Sequence, residues 1–91
     1  MYLIFPSNRY KRAHKRIKRH KDFNSEKLEE VIDALAQGKK LDPRYRDHEL
    51  TGDLVGFREC HVQNDILLMY EIVENKLILI LVDIGSHSDL F

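Results

Sequence analysis

The most constraining feature of this sequence is a pair of nearly continuous apolar segments in its C-terminal third. Residues 66–73 and 77–84 are each of strand length, and Glu74 and Asn75 between them fit a tight turn. Runs of this kind indicate strands that other elements cover on one side. We therefore predict a buried antiparallel hairpin that Gly85 ends.

The remaining segments place two helices and one further strand before this hairpin. Ser or Asn residues precede each helical pattern and are good helix caps, and Gly38 is a natural stop for the second helix. The predicted elements are a strand over residues 2–5, helices from 8 to about 21 and from 25 to 37, a polar connector over 39–52, a strand over 55–62, the hairpin over 66–73 and 77–84, and one capped turn or loop over 86–91.

This order predicts a single domain over residues 1–91 of the α+β class. It consists of an N-terminal strand, two antiparallel helices and a three-stranded antiparallel meander, arranged in two layers. Cys60 is the only cysteine, which fits a reducing compartment. The chain shows no apolar run near the roughly 20 residues of a membrane span, and no signal peptide at its start. We expect a cytoplasmic protein.

Charge is segregated along the chain although the formal net charge is zero. The first 21 residues contain eight basic and no acidic residues, and all fifteen acidic residues follow. A solvated helix face is the simpler interpretation of such a run, but a soluble helix usually mixes the two signs. The complete absence of acids therefore favours a surface that meets a polyanion.

Polar residues able to transfer protons are concentrated in the sheet region. His48 precedes the first strand of the meander, His61 lies near its end, Asp65 starts the next strand and His87 follows the last one. RNA is cut without a metal when its own 2′-hydroxyl attacks the adjacent phosphorus, provided that one group accepts a proton and another donates one. Histidine suits both roles, although each single histidine is more often structural.

Two other uses of these residues are weaker. The three histidines with Asp65 could bind zinc, but no closely paired ligand spacing is present, so we expect no metal site and no cofactor. Cys60 could be a nucleophile, but alternation puts it on the strand face opposite His61. It is better interpreted as a small core residue.

Three linked motifs resemble those of the YafQ-type toxins of the RelE superfamily over essentially the whole chain. They are Tyr45-Arg-Asp-His48 with Leu50-x-Gly52, then Gly56-Phe-Arg-Glu-Cys-His61-Val with Asp65, then Gly85-Ser-His87-Ser-Asp-Leu-Phe91. The combination is far more specific than any one of them.

The resemblance implies the toxin of a bacterial type II toxin–antitoxin pair, an endoribonuclease that cuts mRNA in the ribosomal A site. It implies an antitoxin of the RelB/DinJ kind as partner, with operator DNA bound only by the toxin–antitoxin complex. His48, His61, Asp65 and His87 match the catalytic positions, with His87 as general acid and Asp65 or His48 as base. The residues matched to substrate binding are Phe91, Arg58, Lys11, Arg12, Lys15, Arg16, Lys18 and Arg19.

Two positions depart from the family pattern. Ile66 stands where a tryptophan often follows the aspartate, which removes a stacking surface worth roughly 1–3 kcal/mol. Asp83 stands where many members carry an arginine that faces the scissile phosphate. An acid there would repel the phosphate unless Arg58 or a residue of the basic helix replaces the missing charge.

Asp83 keeps a second function open, a module of the same fold that binds the ribosome or antitoxin without cutting. A third, the gyrase-poisoning branch of the superfamily, lacks the histidine set that this chain has.

Overall fold

The computed structural model describes all 91 residues. None of its helices is long and apolar enough to cross a membrane. The helices and strands are β1 (Leu3–Pro6), α1 (Asn8–Ile17), α2 (Ser25–Ala36), β2 (His48–Glu49), β3 (Arg58–Gln63), β4 (Ile66–Val73), β5 (Ile78–Gly85) and α3 (His87–Leu90).

The predicted α+β class is confirmed, with five strands forming one sheet in the order β1-β5-β4-β3-β2. The predicted hairpin is the centre of this sheet, where β4 pairs with β5 in antiparallel fashion. β3 pairs antiparallel to β4, whereas β1 pairs parallel to β5 along its outer edge. The two-residue strand β2 is an addition to the predicted set, and it forms within the segment predicted as a polar connector.

The two faces of the sheet bury different apolar clusters. The face that we call the helix-side face meets α1 and α2, and its cluster includes Tyr10, Ile17, Val31, Leu68 and Leu79. The opposite face, which we call the open face, carries only a small cluster. Its buried members are Leu67, Met69 and Leu90, with Leu50, Leu54, Phe57 and Val82 packed around them. The open face also carries the polar residues His48, Glu59, His61 and Asp83, and exposed apolar residues of β1 such as Leu3 and Phe5.

A bulge in β5 decides which face Asp83 occupies. Leu81 pairs with Tyr70 and Asp83 pairs with Met69, so Val82 is one extra residue on this strand. Strict alternation would have put Asp83 in the helix-side cluster with Leu81. The extra residue moves it to the open face.

Several predicted boundaries are wrong by a few residues. The strand predicted over 55–62 begins only at Arg58, because residues 52–54 form a 3₁₀ turn and Gly56 has a left-handed φ of 99°. The basic helix ends at Ile17 rather than near Lys21. The end of α2 is close to the prediction, since Gly38 follows it with φ 74°.

The turn between β4 and β5 also differs from the prediction. Residues 74–76 form a 3₁₀ turn, and the positive φ of 55° falls on Leu77 rather than on Asn75. The prediction that Gly85 ends the second strand of the hairpin is close, since β5 ends at Gly85 itself.

Candidate active site

The open face arranges the candidate residues in two neighbouring rows across the strands. One row contains His48, Glu59, Met69 and Asp83, which pair in succession from β2 to β5. The next row contains His61, Leu67 and Gly85. Same-face rows are about 7 Å apart along a strand. The sheet register thus brings His48 and His61 onto one surface.

The short helix α3 closes over the end of this surface. Ser86 accepts a hydrogen bond from the Asp89 backbone N–H at 3.2 Å, and the Asp89 carboxylate accepts one from the Ser86 N–H at 2.9 Å, which together form a capping box. These bonds, with nearby Arg16 and His20, lower the pKa of Asp89. Leu90 is buried against the open-face cluster and holds the helix to the sheet.

Gly85 is the residue that lets α3 lie this close. A β-carbon at Gly85 would be 2.9 Å from Oδ2 of Asp89 and 3.0 Å from its β-carbon. Contacts that short require a shift of the neighbouring atoms. The glycine of the terminal motif therefore has a packing role in placing His87.

Asp65 joins the turn between β3 and β4 to the start of α3. Its Oδ1 accepts a hydrogen bond from the backbone N–H of His87 at 3.2 Å, and its other carboxylate oxygen makes no hydrogen bond within the chain. Two predicted catalytic residues from separate motifs are therefore adjacent. Asp65 keeps one oxygen available for a proton.

The side chain of His87 is exposed and makes no hydrogen bond to the protein. Its ring lies against that of Phe91, with centroids 5.1 Å apart and an interplanar angle of 45°. Phe91 is itself 53% exposed. This pair presents an imidazole beside an aromatic surface, an arrangement that suits proton donation next to a stacked base.

Both ring nitrogens of His48 face oxygen atoms of the protein. Nδ1 lies 2.6 Å from the carbonyl oxygen of Arg46, which only accepts hydrogen bonds, so Nδ1 carries a proton. Nε2 lies 3.5 Å from Oε1 of Glu59. This is an ion-pair distance when the imidazole of His48 is protonated.

Glu59 is a site residue that the sequence reasoning missed. It is 3% exposed, and its second carboxylate oxygen, Oε2, has no hydrogen-bond partner. A buried carboxylate without full hydrogen bonding costs free energy and calls for an explanation. The available signal was its alternation with His61 on one strand face.

His61 is half-buried and lines a groove of about 390 Å³ at the free edge of β3. The groove is rich in basic and amide groups, and none of its three cations was predicted as a site residue. These cations are Lys27, Arg44 and Arg46. Arg46 has a left-handed backbone with φ 50°, a strained conformation for a non-glycine residue.

Asp83 is 5% exposed and forms an ion pair with Arg9 from the start of α1. Nε of Arg9 donates to Oδ2 of Asp83 at 2.9 Å, and Oδ1 accepts from the backbone N–H of Ile84. The carboxylate that would repel a phosphate is therefore balanced by an arginine. Arg9 was not among the predicted site residues.

The structure does not bring Arg58 to the histidines. Arg58 lies on the helix-side face, where it contacts Asp47, Glu49 and the hydroxyl of Tyr70. Tyr70 donates a short hydrogen bond to Asp47, and burial together with this bond raises its pKa. Arg58 is thus already paired within a structural network.

The predicted RNA-binding residues of the basic helix are all exposed. Four of them, Arg12, Lys15, Arg16 and Arg19, line a shallow groove of about 330 Å³ on its surface. Lys18 is the C-terminal cap of α1, and Arg19 follows the helix. Arg16 is near enough to Asp89 to lower its pKa, so this basic surface reaches the edge of the candidate site.

Cys60 is fully buried in the helix-side cluster. Burial raises the pKa of its thiol well above the ordinary range, so it stays protonated and unreactive.

Comparison with known proteins decides the family. The sequence model of the bacterial toxin of type II toxin–antitoxin systems, YafQ, matches residues 2–91. The chain belongs to the YafQ family.

Among its relatives is the mRNA interferase toxin YafQ of Escherichia coli K12. It is 36% identical over 75 residues, which are 81% of this chain and 77% of that protein. A metal-bound toxin from Helicobacter pylori is 40% identical, with a TM-score of 0.91 and full coverage of both chains. The E. coli DinJ–YafQ complex contains a chain 30% identical to this one, with a TM-score of 0.85 over 100% of this chain and 99% of that one.

No group of three or more His, Cys, Asp or Glu side chains in this YafQ-family chain is placed to hold a metal ion. His48 and Glu59 supply only a pair of donors.

Proposed function

We propose that this chain is the toxin of a type II toxin–antitoxin system and that it cuts mRNA in the ribosomal A site by acid–base catalysis. Family membership over residues 2–91 supports the toxin assignment. The observation that carries the chemistry is the pairing of Asp65 with the start of α3, beside the free imidazole of His87. The proposal includes the RelE-like two-layer fold and a cytoplasmic location, where ribosomes work.

The proposed reaction needs only groups of the chain and of the RNA. A base takes the proton of the 2′-hydroxyl, and the resulting oxygen attacks the adjacent phosphorus. The bond from phosphorus to the 5′-oxygen breaks, and His87 donates its proton to that oxygen. The products are a 2′,3′-cyclic phosphate and a 5′-hydroxyl end.

Geometry favours Asp65 over His48 as the base. One oxygen of Asp65 is free, whereas both ring nitrogens of His48 face protein acceptors. His48, which lies 3.5 Å from Glu59, instead provides positive charge beside the substrate when it is protonated. His61, on the same face, contacts the phosphate or the nucleotide that enters its groove.

The proposed partners follow from the basic helix. Its exposed cations bind ribosomal RNA, where phosphate contacts dominate affinity. An antitoxin segment with acidic side chains would cover the same surface. This chain resembles the YafQ chain of the E. coli DinJ–YafQ complex, which supports a partner of that kind. Operator DNA is contacted only through that complex.

Primer extension on mRNA during cell-free translation tests the proposal. Wild type should produce cuts at A-site codons, and His87→Ala should slow them by roughly 100-fold or more, because general acid catalysis is lost. Asp65→Asn keeps an oxygen that accepts the His87 N–H but removes the base, so it should be similarly slow while keeping the melting temperature. Lys39→Ala, on an exposed loop, is the matched control. Equal cutting by wild type and His87→Ala would refute the assignment.

A further inference from the structure

Asp83 on the open face forms an ion pair with Arg9 from the start of α1, and the proposed reaction gives this pair no role. Asp83 lies in the row of His48 and Glu59, and β5 leads from it through Gly85 to His87. Asp83 and Gly85 are two residues apart on one strand face, about 7 Å. α3 lies directly over Gly85, so the pair borders the helix that carries His87.

Arg9 is held by only one of its nitrogens. Nε donates to Asp83, and neither terminal amino group has an acceptor within the chain. The side chain of Arg9 is 58% exposed, whereas that of Asp83 is 7% exposed. A guanidinium fixed at Nε presents its two terminal amino groups as a planar fork, which is the geometry that binds phosphate.

The charges around this surface show why a cation is needed there. Glu59, Asp65 and Asp83 all lie on or beside the open face. A phosphodiester approaching three carboxylates is repelled unless fixed donors meet its oxygens. His48 faces Glu59, and Arg58 is engaged on the other face of the sheet. Among these residues, Arg9 alone combines a permanent charge with free donors.

We propose that Arg9, positioned by Asp83, binds the scissile phosphate of the RNA through its two terminal amino groups. Arg9 then supplies the positive charge that an arginine at position 83 supplies in many family members. Asp83 acts as a positioning residue for Arg9. The bulge at Val82 is part of this arrangement, because it turns Asp83 toward the open face. This role rests on the proposed ribonuclease function.

The alternative is that Arg9 only neutralises a buried acid, and three variants separate the two roles. Arg9→Lys keeps an ion pair with Asp83 but loses the fork. Arg9→Ala with Asp83→Asn removes both charges and leaves no buried unpaired carboxylate. Arg9→Ala with Asp83→Arg returns a guanidinium to the open face from β5. Lys39→Ala is again the control for an exposed cation away from this pair.

The measurement is the single-turnover rate of A-site cleavage, with melting temperature as a check of folding. Arg9→Lys and the doubly neutral variant should cut roughly 10- to 100-fold more slowly than wild type while staying folded. The variant with Asp83→Arg should recover at least part of that loss. A sulfur replacing a non-bridging oxygen of the scissile phosphate should slow wild type more than Arg9→Lys.

Each outcome has a distinct meaning. Wild-type rates in both Arg9→Lys and the doubly neutral variant would show a purely structural ion pair and overturn the inference alone. An equal effect of sulfur on wild type and Arg9→Lys would also overturn it. Absence of cutting by wild type would overturn the proposed ribonuclease function, and this role with it.

Discussion

At the scale of single residues, the motifs supplied candidate positions but not the residues that contact them. Asp65 and His87 were predicted as partners in chemistry, and the structure joins them through a backbone hydrogen bond. Arg9 was missed because its partner Asp83 is 74 residues away, and no local pattern reveals such a pair. Glu59 was missed because a single acid in a strand carries no sign of burial.

His14 makes stability depend on pH. Its ring stacks on Tyr10 at 5.7 Å and meets the edge of Phe23 at 6.1 Å. Burial, and then repulsion by Lys18, lowers its pKa below 6.5. Below pH 6.5 the unfolded chain therefore binds this proton first, so the free energy of unfolding falls as pH falls toward the folded-state pKa.

Urea unfolding at pH 7.5 and pH 5.5 measures this contribution. We expect wild type to lose more stability between the two pH values than His14→Gln does. His20→Gln, which changes an exposed histidine of the same segment, should behave as wild type. Identical losses in wild type and His14→Gln would contradict the prediction.

At the scale of elements, apolar periodicity predicted the strands whose side chains are buried. It failed where local backbone geometry sets the start of a strand or introduces a bulge. The strand 66–73 was predicted to the residue, because its apolar run is set by burial. The start of β3 and the bulge at Val82 were not predicted. Both depend on local backbone geometry, which the pattern of apolar residues along the sequence barely reflects.

Gly85→Ala tests the docking of α3. The new methyl group would meet the Asp89 side chain at 2.9 Å, although the backbone of Gly85 is not left-handed and accepts alanine. We expect a loss of about 1–3 kcal/mol in stability and a larger proportional loss in cleavage, since His87 is displaced.

Melting temperature and cleavage rate are measured on the same preparation. Ser88→Ala changes an exposed residue of the same helix and should leave the melting temperature unchanged. Unaltered cleavage by Gly85→Ala would show that α3 tolerates the shift without moving His87.

At the scale of the whole molecule, the basic charge that is concentrated at the start of the sequence is also concentrated on one part of the surface. The first 21 residues carry only basic charge, and α1 displays it as a groove beside the site. Composition predicted the positive charge of this surface, whereas its distance from the candidate catalytic residues depends on the fold. Arg16 is near enough to Asp89 to lower its pKa, which relates this surface to the candidate site.

Replacing Arg12, Lys15, Arg16 and Arg19 together by glutamine should weaken ribosome binding without unfolding the protein, because all four side chains are exposed. Each lost phosphate contact should reduce the slope of log affinity against log salt by about 1. Ribosome binding measured from about 50 to about 200 mM salt, a range over which such slopes are large, tests this prediction. An unchanged slope would place the ribosome contact elsewhere.

The parallel pairing of β1 with β5 has a consequence for synthesis. The first strand to leave the ribosome pairs with the last one made, and Arg9 meets Asp83 across the same distance in sequence. Contacts this far apart in the chain form late. A nascent chain therefore lacks both the Arg9–Asp83 ion pair and the Asp65–His87 hydrogen bond until nearly its whole length has been made, so the candidate site is completed only at the end of synthesis.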